Sequence, residues 1–188
     1  MAAPDLRNVR TVFLDRDGTI NVKAAPGEYI TSPAEVALLP GAAKAVAALN
    51  AAGLHTVLVT NQRWLSDPSA DPARFAAIHD RLEQLLADEG ARLDAAYHCP
   101  HAADTCDCRK PGAGMLLRAA REHGVDLAES VVIGDSDADV MAGRAVGAAT
   151  VLLRPGTEEA AGADVVVDDL AAAVELILSA RESRTTFA

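Results

Sequence analysis

The chain has 188 residues, half of them hydrophobic, and a formal net charge of −10 at pH 7. That charge excludes general binding to a nucleic-acid backbone, which needs clustered positive residues. No apolar run approaches the roughly 18 residues of a membrane-spanning helix, and the N-terminus lacks a signal-peptide apolar stretch, so a cytoplasmic protein is expected.

In chain order, residues 1–8 read as a loose tail. Thr11–Leu14 is a short apolar run of the kind that forms a buried strand. Residues 21–39 are long for a simple strand–helix loop and read as a small cover. Residues 41–52 have helical spacing, introduced by Pro40-Gly41 and stopped by Gly53. A β-rich run at 56–59 follows, then a helix over 72–89 ended by Gly90. A strand is expected at 94–97, a helix at 112–123 and a strand at 131–133. The C-terminal part reads as a helix at 137–146, strands at 150–153 and 164–167, a helix at 170–179 and a second loose tail over 181–188. This alternation predicts an α/β fold with a doubly wound, mainly parallel sheet. The length suits one domain over 1–188, its core spanning about 9–180. With aromatics at only 3 %, that core must be built from Ala, Val and Leu.

Four constellations interrupt the apolar pattern. The first strand runs into Asp15, Asp17 and Gly18, two carboxylates at i and i+2. Ligands of open α/β sheets bind outside the carboxyl ends of strands, and two acids there are costly unless a cation or proton compensates them. A Mg²⁺ site, with one carboxylate as nucleophile and the other as general acid/base, explains them economically. An Asp-Gly turn is the plainer alternative. At the end of the second strand, Thr60 and Asn61 can donate to phosphoryl oxygens. Gln62, Arg63 and Trp64 follow. Arg63 suits a second phosphate or a sugar hydroxyl, and Trp64, the only tryptophan, suits packing better than stacking on a sugar.

The three cysteines all lie within ten residues. Cys99, His101, Cys106 and Cys108 form C-x-H-x4-C-x-C, a tetrahedral Zn²⁺ set of the closed structural kind, in a loop over about 98–111. Arg109, Lys110 and Pro111 follow directly, so a bound zinc would anchor a basic pair, of which Arg109 can fork onto a phosphate. The fourth constellation is Gly134, Asp135, Ser136, Asp137 and Asp139, between a strand and a helix.

The order DRDGTIN, TNQ, CPH…CDCRKP, GDSDAD over roughly residues 10–153 resembles the haloacid dehalogenase (HAD) superfamily. Within it, the zinc loop ending in CRKP resembles the D-glycero-D-manno-heptose 1,7-bisphosphate 7-phosphatase branch, to which the histidinol-phosphate phosphatases are similar. The resemblance implies a HAD-like Rossmannoid fold with a minimal cap, and a Mg²⁺-dependent phosphatase. Asp15 would attack phosphorus. Asp17 would protonate the leaving oxygen and then activate water. Thr60 and Lys110 would neutralise the phosphoryl oxygens. Mg²⁺ would bind Asp15, Asp135 and the backbone carbonyl of Asp17, with Asp139 orienting Lys110 or acting through water. Thr19 would lie where backbone donors approach the phosphate, and Asp137 would be a solvated or capping acid. Asn61, Arg63, Arg109, Lys23, Glu28 and Tyr29 would contact the substrate, a small sugar phosphate. Ser136 stands where some relatives carry a substrate-contacting lysine, and Arg63–Leu65 replace a TNQSG-like continuation. The small cap allows a monomer. A histidinol-phosphate or other small sugar-phosphate phosphatase is the alternative substrate reading, and a non-catalytic zinc-loop binding protein the alternative class.

Overall fold

The computed structural model describes residues 6–156 and 162–185. Six parallel strands form one sheet in the order β3-β2-β1-β4-β5-β6: β1 Thr11–Leu14, β2 His55–Asn61, β3 Ala95–Cys99, β4 Ser130–Gly134, β5 Ala149–Leu153 and β6 Val165–Val167. The helices are α1 Ala42–Ala51, α2 Pro72–Ala87, α3 Gly114–His123, α4 Asp137–Ala145 and α5 Leu170–Thr185. None is long and apolar enough to cross a membrane.

The two-residue period of the strands divides the core. Val12, Leu14, Leu58, Val131, Ile133 and Val151 face one side and pack on Val46 and Leu49 of α1, Ile78 and Leu82 of α2, and Ile177 of α5. Phe13, Val57, Val59 and Val132 face the other and pack on Met115, Leu116 and Ala119 of α3 and Ala142 of α4. Both faces are covered, so the strands read as continuous apolar runs rather than alternating ones. β2 and β3 lie to one side of β1, and β4 to β6 to the other. The order therefore reverses between β1 and β4, which is where such sheets open a crevice for ligands.

Several boundaries differ from the sequence reading. β2 extends to Asn61, so Thr60 and Asn61 are strand residues. β3 ends on Cys99, so the first expected zinc ligand leaves directly from the sheet. The N-terminal tail is shorter than expected: Leu6–Asn8 form a 3-10 turn, with Leu6 buried against the core. Nor is 181–185 loose, because α5 runs to Thr185 and the Arg181 guanidinium donates to the Val9 carbonyl at 2.9 Å. Residues 1–5 and 186–188 of the two expected tails lie outside the described residues. The 21–39 segment folds back on itself. Asn21 bridges both Asp17 and Leu38, Ser32 and Glu35 form a capping box, and Ile30 and Val36 are buried.

Candidate active site

Asp15 follows β1 immediately, its N–H donating to the Ile133 carbonyl of β4 at 3.0 Å. This sets it beside the end of β4, level with Gly134 and one residue short of Asp135. Gly18 makes the approach possible. Its φ is +89°, and a Cβ there would collide with the Asp135 carboxylate. A Cβ at Gly134 would likewise collide with Asp139. Carboxylate oxygens of Asp15, Asp135 and Asp139 lie within 4.8 Å of one another. Lys110 is the counter-charge: Nζ is 2.7 Å from Asp15 Oδ1 and 2.6 Å from Asp139 Oδ1, and it also donates to the Val59 carbonyl at 2.7 Å. Asp139, expected to act through water or by orienting Lys110, makes a direct ion pair with it. Burial pushes the Asp15 carboxyl up to about 7, with Asp139 adding to the push and Lys110 opposing it. Burial alone would lower Lys110, but the two carboxylates outweigh it and hold the ammonium above its ordinary value.

Asp17 is held differently. Arg16 Nε and Nη2 fork onto Oδ1 and Oδ2 at 3.1 and 2.9 Å, Asn21 Nδ2 donates to Oδ1 at 2.9 Å, and Gln62 Nε2 donates to Oδ2 at 3.1 Å. Four N–H donors thus address one carboxylate, none of them from Lys110. Arg16, Asn21 and Gln62 were missed as contributors in the sequence. Arg16 is 2 % exposed, and a buried arginine must find an acid, so its place between Asp15 and Asp17 was a signal that spacing arguments alone overlooked. Thr19 is fully buried, its N–H turned to the Arg16 carbonyl at 3.3 Å.

The Asn61 side chain grips the backbone of Lys110, its Nδ2 donating to the carbonyl at 2.9 Å and its Oδ1 accepting from the N–H at 3.0 Å. Asn61, expected to touch substrate, fixes the backbone of Lys110 in this way. The Gln62 N–H donates to the Cys99 carbonyl at 2.8 Å. β2 is thus tied at two points to the segment running from Cys99 to Lys110. In that segment the Cys99, Cys106 and Cys108 sulfurs stand 3.3–3.5 Å apart, and His101 Nδ1 is 3.2 Å from Cys108 Sγ and 3.5 Å from Cys99 Sγ. With a Zn–S bond of about 2.3 Å, the edges of a tetrahedral thiolate set measure about 3.8 Å. The quartet fits a zinc ion with little movement. Crowding splits the thiols: despite burial, hydrogen bonds from its neighbours bring Cys106 down to about 7, while burial and the other two sulfurs push Cys108 up to about 12.

A cavity of about 330 Å³ lies over these groups, lined by Asp15, Asp17, Thr60, Asn61, Lys110 and Asp135, with Lys23, Glu28, Tyr29 and Arg109 at its walls. Two wider depressions elsewhere contain none of Asp15, Asp17 and Asp135. Lys23 Nζ is 2.6 Å from Asp135 Oδ2, so the segment after β1 reaches across the opening. One buried N–H of Arg109, on Nη1, has no partner among the described residues. Arg63 departs from expectation: it is exposed on the 3-10 turn Arg63–Ser66 and is not among the lining residues. Trp64 packs against the core, as foreseen, and also donates from Nε1 to Gln62 Oε1 at 2.9 Å. Ser136 and Asp139 cap α4 reciprocally, and Asp137 pairs with Arg154 at 2.6 Å.

Hard oxygen donors at a strand-order reversal, a buried lysine between them and a nearby clamped acid are the site of a HAD-like hydrolase. A HAD-hydrolase-like family model matches residues 107–173. The chain is 38 % identical over 178 residues to the D-glycero-beta-D-manno-heptose-1,7-bisphosphate 7-phosphatase of Bordetella bronchiseptica, covering 90 % of this chain and 98 % of that protein. It is 38 % identical over 172 residues to the enzyme of the same name from Vibrio cholerae, covering 85 % and 91 %. The crystal structure of the B. bronchiseptica D,D-heptose 1,7-bisphosphate phosphatase, complexed with magnesium and phosphate, superposes with a TM-score of 0.81 at 37 % identity over 91 % of this chain and 99 % of that one. This chain belongs to the D-glycero-D-manno-heptose-1,7-bisphosphate 7-phosphatase family.

Proposed function

We propose that the protein is a Mg²⁺-dependent phosphatase that removes the C7 phosphate of D-glycero-D-manno-heptose 1,7-bisphosphate through an aspartyl-phosphate on Asp15. The observation that carries this reading is the pairing of a nucleophile-grade carboxylate, Asp15 on Lys110 at 2.7 Å, with a separately held acid two residues on. Two acids in unlike surroundings can take different roles, Asp15 as the nucleophile and Asp17 in proton transfer.

The donor set fits a magnesium ion: Asp15 and Asp135 would hold it through carboxylate oxygens, the backbone carbonyl of Asp17 would add a third, and Gly18 leaves the room. When bound, the ion neutralises phosphoryl charge and keeps Asp15 ionised. Lys110 and the Thr60 hydroxyl address the remaining phosphoryl oxygens. An Asp15 oxygen attacks phosphorus, the P–O7 bond breaks, and Asp17 gives its proton to O7. Water then attacks the phosphoaspartate, Asp17 takes a proton from it, and inorganic phosphate leaves as Asp15 is restored. Catalysis of this kind is mostly positioning and charge compensation. Arg109 and Lys23 suit the second phosphate, and Glu28 and Tyr29 the sugar hydroxyls. A structural zinc on Cys99, His101, Cys106 and Cys108 would hold the loop that carries Arg109 and Lys110.

The test is phosphate release with Mg²⁺ from both anomers of heptose 1,7-bisphosphate, histidinol phosphate and simple hexose phosphates. A strong preference for a heptose bisphosphate is expected, and Asp15→Asn should abolish turnover while leaving the fold intact. Preference for histidinol phosphate would overturn the substrate, and retained turnover in Asp15→Asn would overturn the nucleophile.

A further inference from the structure

Gln62 has every hydrogen-bonding direction of its side chain occupied. Oε1 accepts from Trp64 Nε1 at 2.9 Å and Arg16 Nη2 at 3.2 Å, and Nε2 donates to Thr60 Oγ1 at 2.9 Å and Asp17 Oδ2 at 3.1 Å. The residue is 2 % exposed, so water does not compete for these partners. The amide has one workable orientation. Reversed, its NH₂ would face two donors and its oxygen would face a carboxylate.

That orientation constrains both residues it serves. Thr60 Oγ1 is used as an acceptor, so its single proton is left for another group. The cavity-facing choice is a phosphoryl oxygen. Asp17 Oδ2 is pinned on the same NH₂, so acid and hydroxyl cannot turn independently. The orienting pair is costly to keep. Arg16 is buried with its Nη1 unpartnered among the described residues, and a buried donor left without a partner costs the fold stability.

We propose that Gln62, oriented by Arg16 and Trp64, is a positioning residue that sets the Thr60 hydroxyl and the Asp17 carboxylate as one unit, keeping phosphoryl recognition in register with proton transfer. This rests on the acid/base reading of Asp17 given above. Gln62→Glu is the sharp probe. It keeps the size and the Oε1 acceptor but turns the donor nitrogen into an oxygen facing Asp17 and Thr60. Asp17 Oδ2 and Thr60 Oγ1 would each lose the donor that aims them, and the Thr60 proton would be drawn to the new acceptor. Asp17 would fail as the base that releases the phosphoaspartate, whereas attack on an ester with a good leaving group needs no acid.

The experiment is rapid-mixing release of p-nitrophenol from p-nitrophenyl phosphate with Mg²⁺, beside steady-state turnover of heptose 1,7-bisphosphate. For Gln62→Glu the ratio of steady-state to burst rate should fall about ten-fold or more relative to wild type at pH 7. Trp64→Phe keeps the ring and deletes one donor to Oε1, and should shift the ratio the same way by a few-fold. Folded variants whose burst and steady-state rates fall together would overturn the proposal and leave Gln62 a packing residue. If Gln62→Glu does not fold, an unchanged ratio in Trp64→Phe overturns it alone. Wild-type protein inactive on every phosphate ester would overturn the phosphatase reading, and this proposal with it.

Discussion

Lys110 Nζ lies 2.6 Å from Asp139 Oδ1, with the two side chains only 4 % and 2 % exposed. The same ammonium serves Asp15 at 2.7 Å, so one buried cation compensates two buried carboxylates. Removing one partner of such a set is far worse than never having had it, because the survivors keep their desolvation cost. Lys110→Met should lose turnover and about 3–5 kcal/mol of stability. Asp139→Asn keeps the shape and leaves Lys110 on Asp15, so its turnover should fall about ten-fold with a smaller loss of stability. Thermal unfolding beside phosphate release checks both. A Lys110→Met protein as stable as wild type would show that the triad is not compensated as described.

The raised Asp15 pKa makes a statement about pH. Burial lifts this carboxyl from 3.8 to about 7, so the metal-free folded state holds its proton more tightly than the unfolded chain does. Fewer protons are bound on unfolding, and the stability slope with pH is negative: this contribution is complete below about 4 and is lost as pH rises towards about 7. A divalent cation on Asp15 and Asp135 favours the ionised form and reverses the loss. The rise in Tm caused by Mg²⁺ should therefore be small at pH 5 and clearly larger at pH 8. A rise that does not depend on pH would argue against Asp15 as a ligand.

The zinc quartet should act on activity through position rather than chemistry. Cys99 ends β3, and the chain returns to β2 through the Asn61 grip on Lys110. Zinc analysis should find one ion per chain. Cys106→Ser, or removal of the metal by a chelator, should lower Tm and turnover together, with Mg²⁺ affinity changed less than either. A stable, fully active Cys106→Ser protein free of zinc would show that the quartet is not a required anchor.

Much of this was legible in the sequence because the signals are local. A run such as Val12, Phe13 and Leu14 ending in Asp15 reads as a buried strand with its chemistry at the carboxyl edge, and alternation with Ala-rich helical stretches gives the wound sheet. The cysteine spacing carries its chemistry in ten residues. What escaped was tertiary. Arg16 stands between two acids, but the burial that turns its guanidinium back onto Asp17 rather than out to solvent is a property of the fold. Gln62 became a hub only because β1 and β2 are neighbours, which brings residues 46 apart in sequence into contact. Arg63 was read towards the cavity from its position in the motif, but the 3-10 turn rotates it out while bringing Trp64 in. The α5 extension was missed because residues 181–185 are polar, and polar stretches at a terminus look loose until a partner such as the Val9 carbonyl is known.

Gly18 is the most economical single test of the metal site. Its φ of +89° is strained for any other residue, and an added Cβ would meet the Asp135 carboxylate. The first effect alone costs about 1–2 kcal/mol. The second falls on a proposed Mg²⁺ ligand, which must swing away or push the β1 loop off the sheet edge. Gly18→Ala should therefore remain folded with a modestly lower Tm, yet lose most of its Mg²⁺-dependent turnover and much of its stabilisation by Mg²⁺. Because Asp15 is buried behind the loop, the Lys110 pair should survive, and the Tm without metal should fall far less than in Lys110→Met. Calorimetric titration of Mg²⁺ into Gly18→Ala, beside wild type and Asp135→Asn, checks this. Gly18→Ala and Asp135→Asn should weaken binding alike. Full Mg²⁺ affinity in Gly18→Ala would mean that Asp135 does not hold the ion where Gly18 makes room for it.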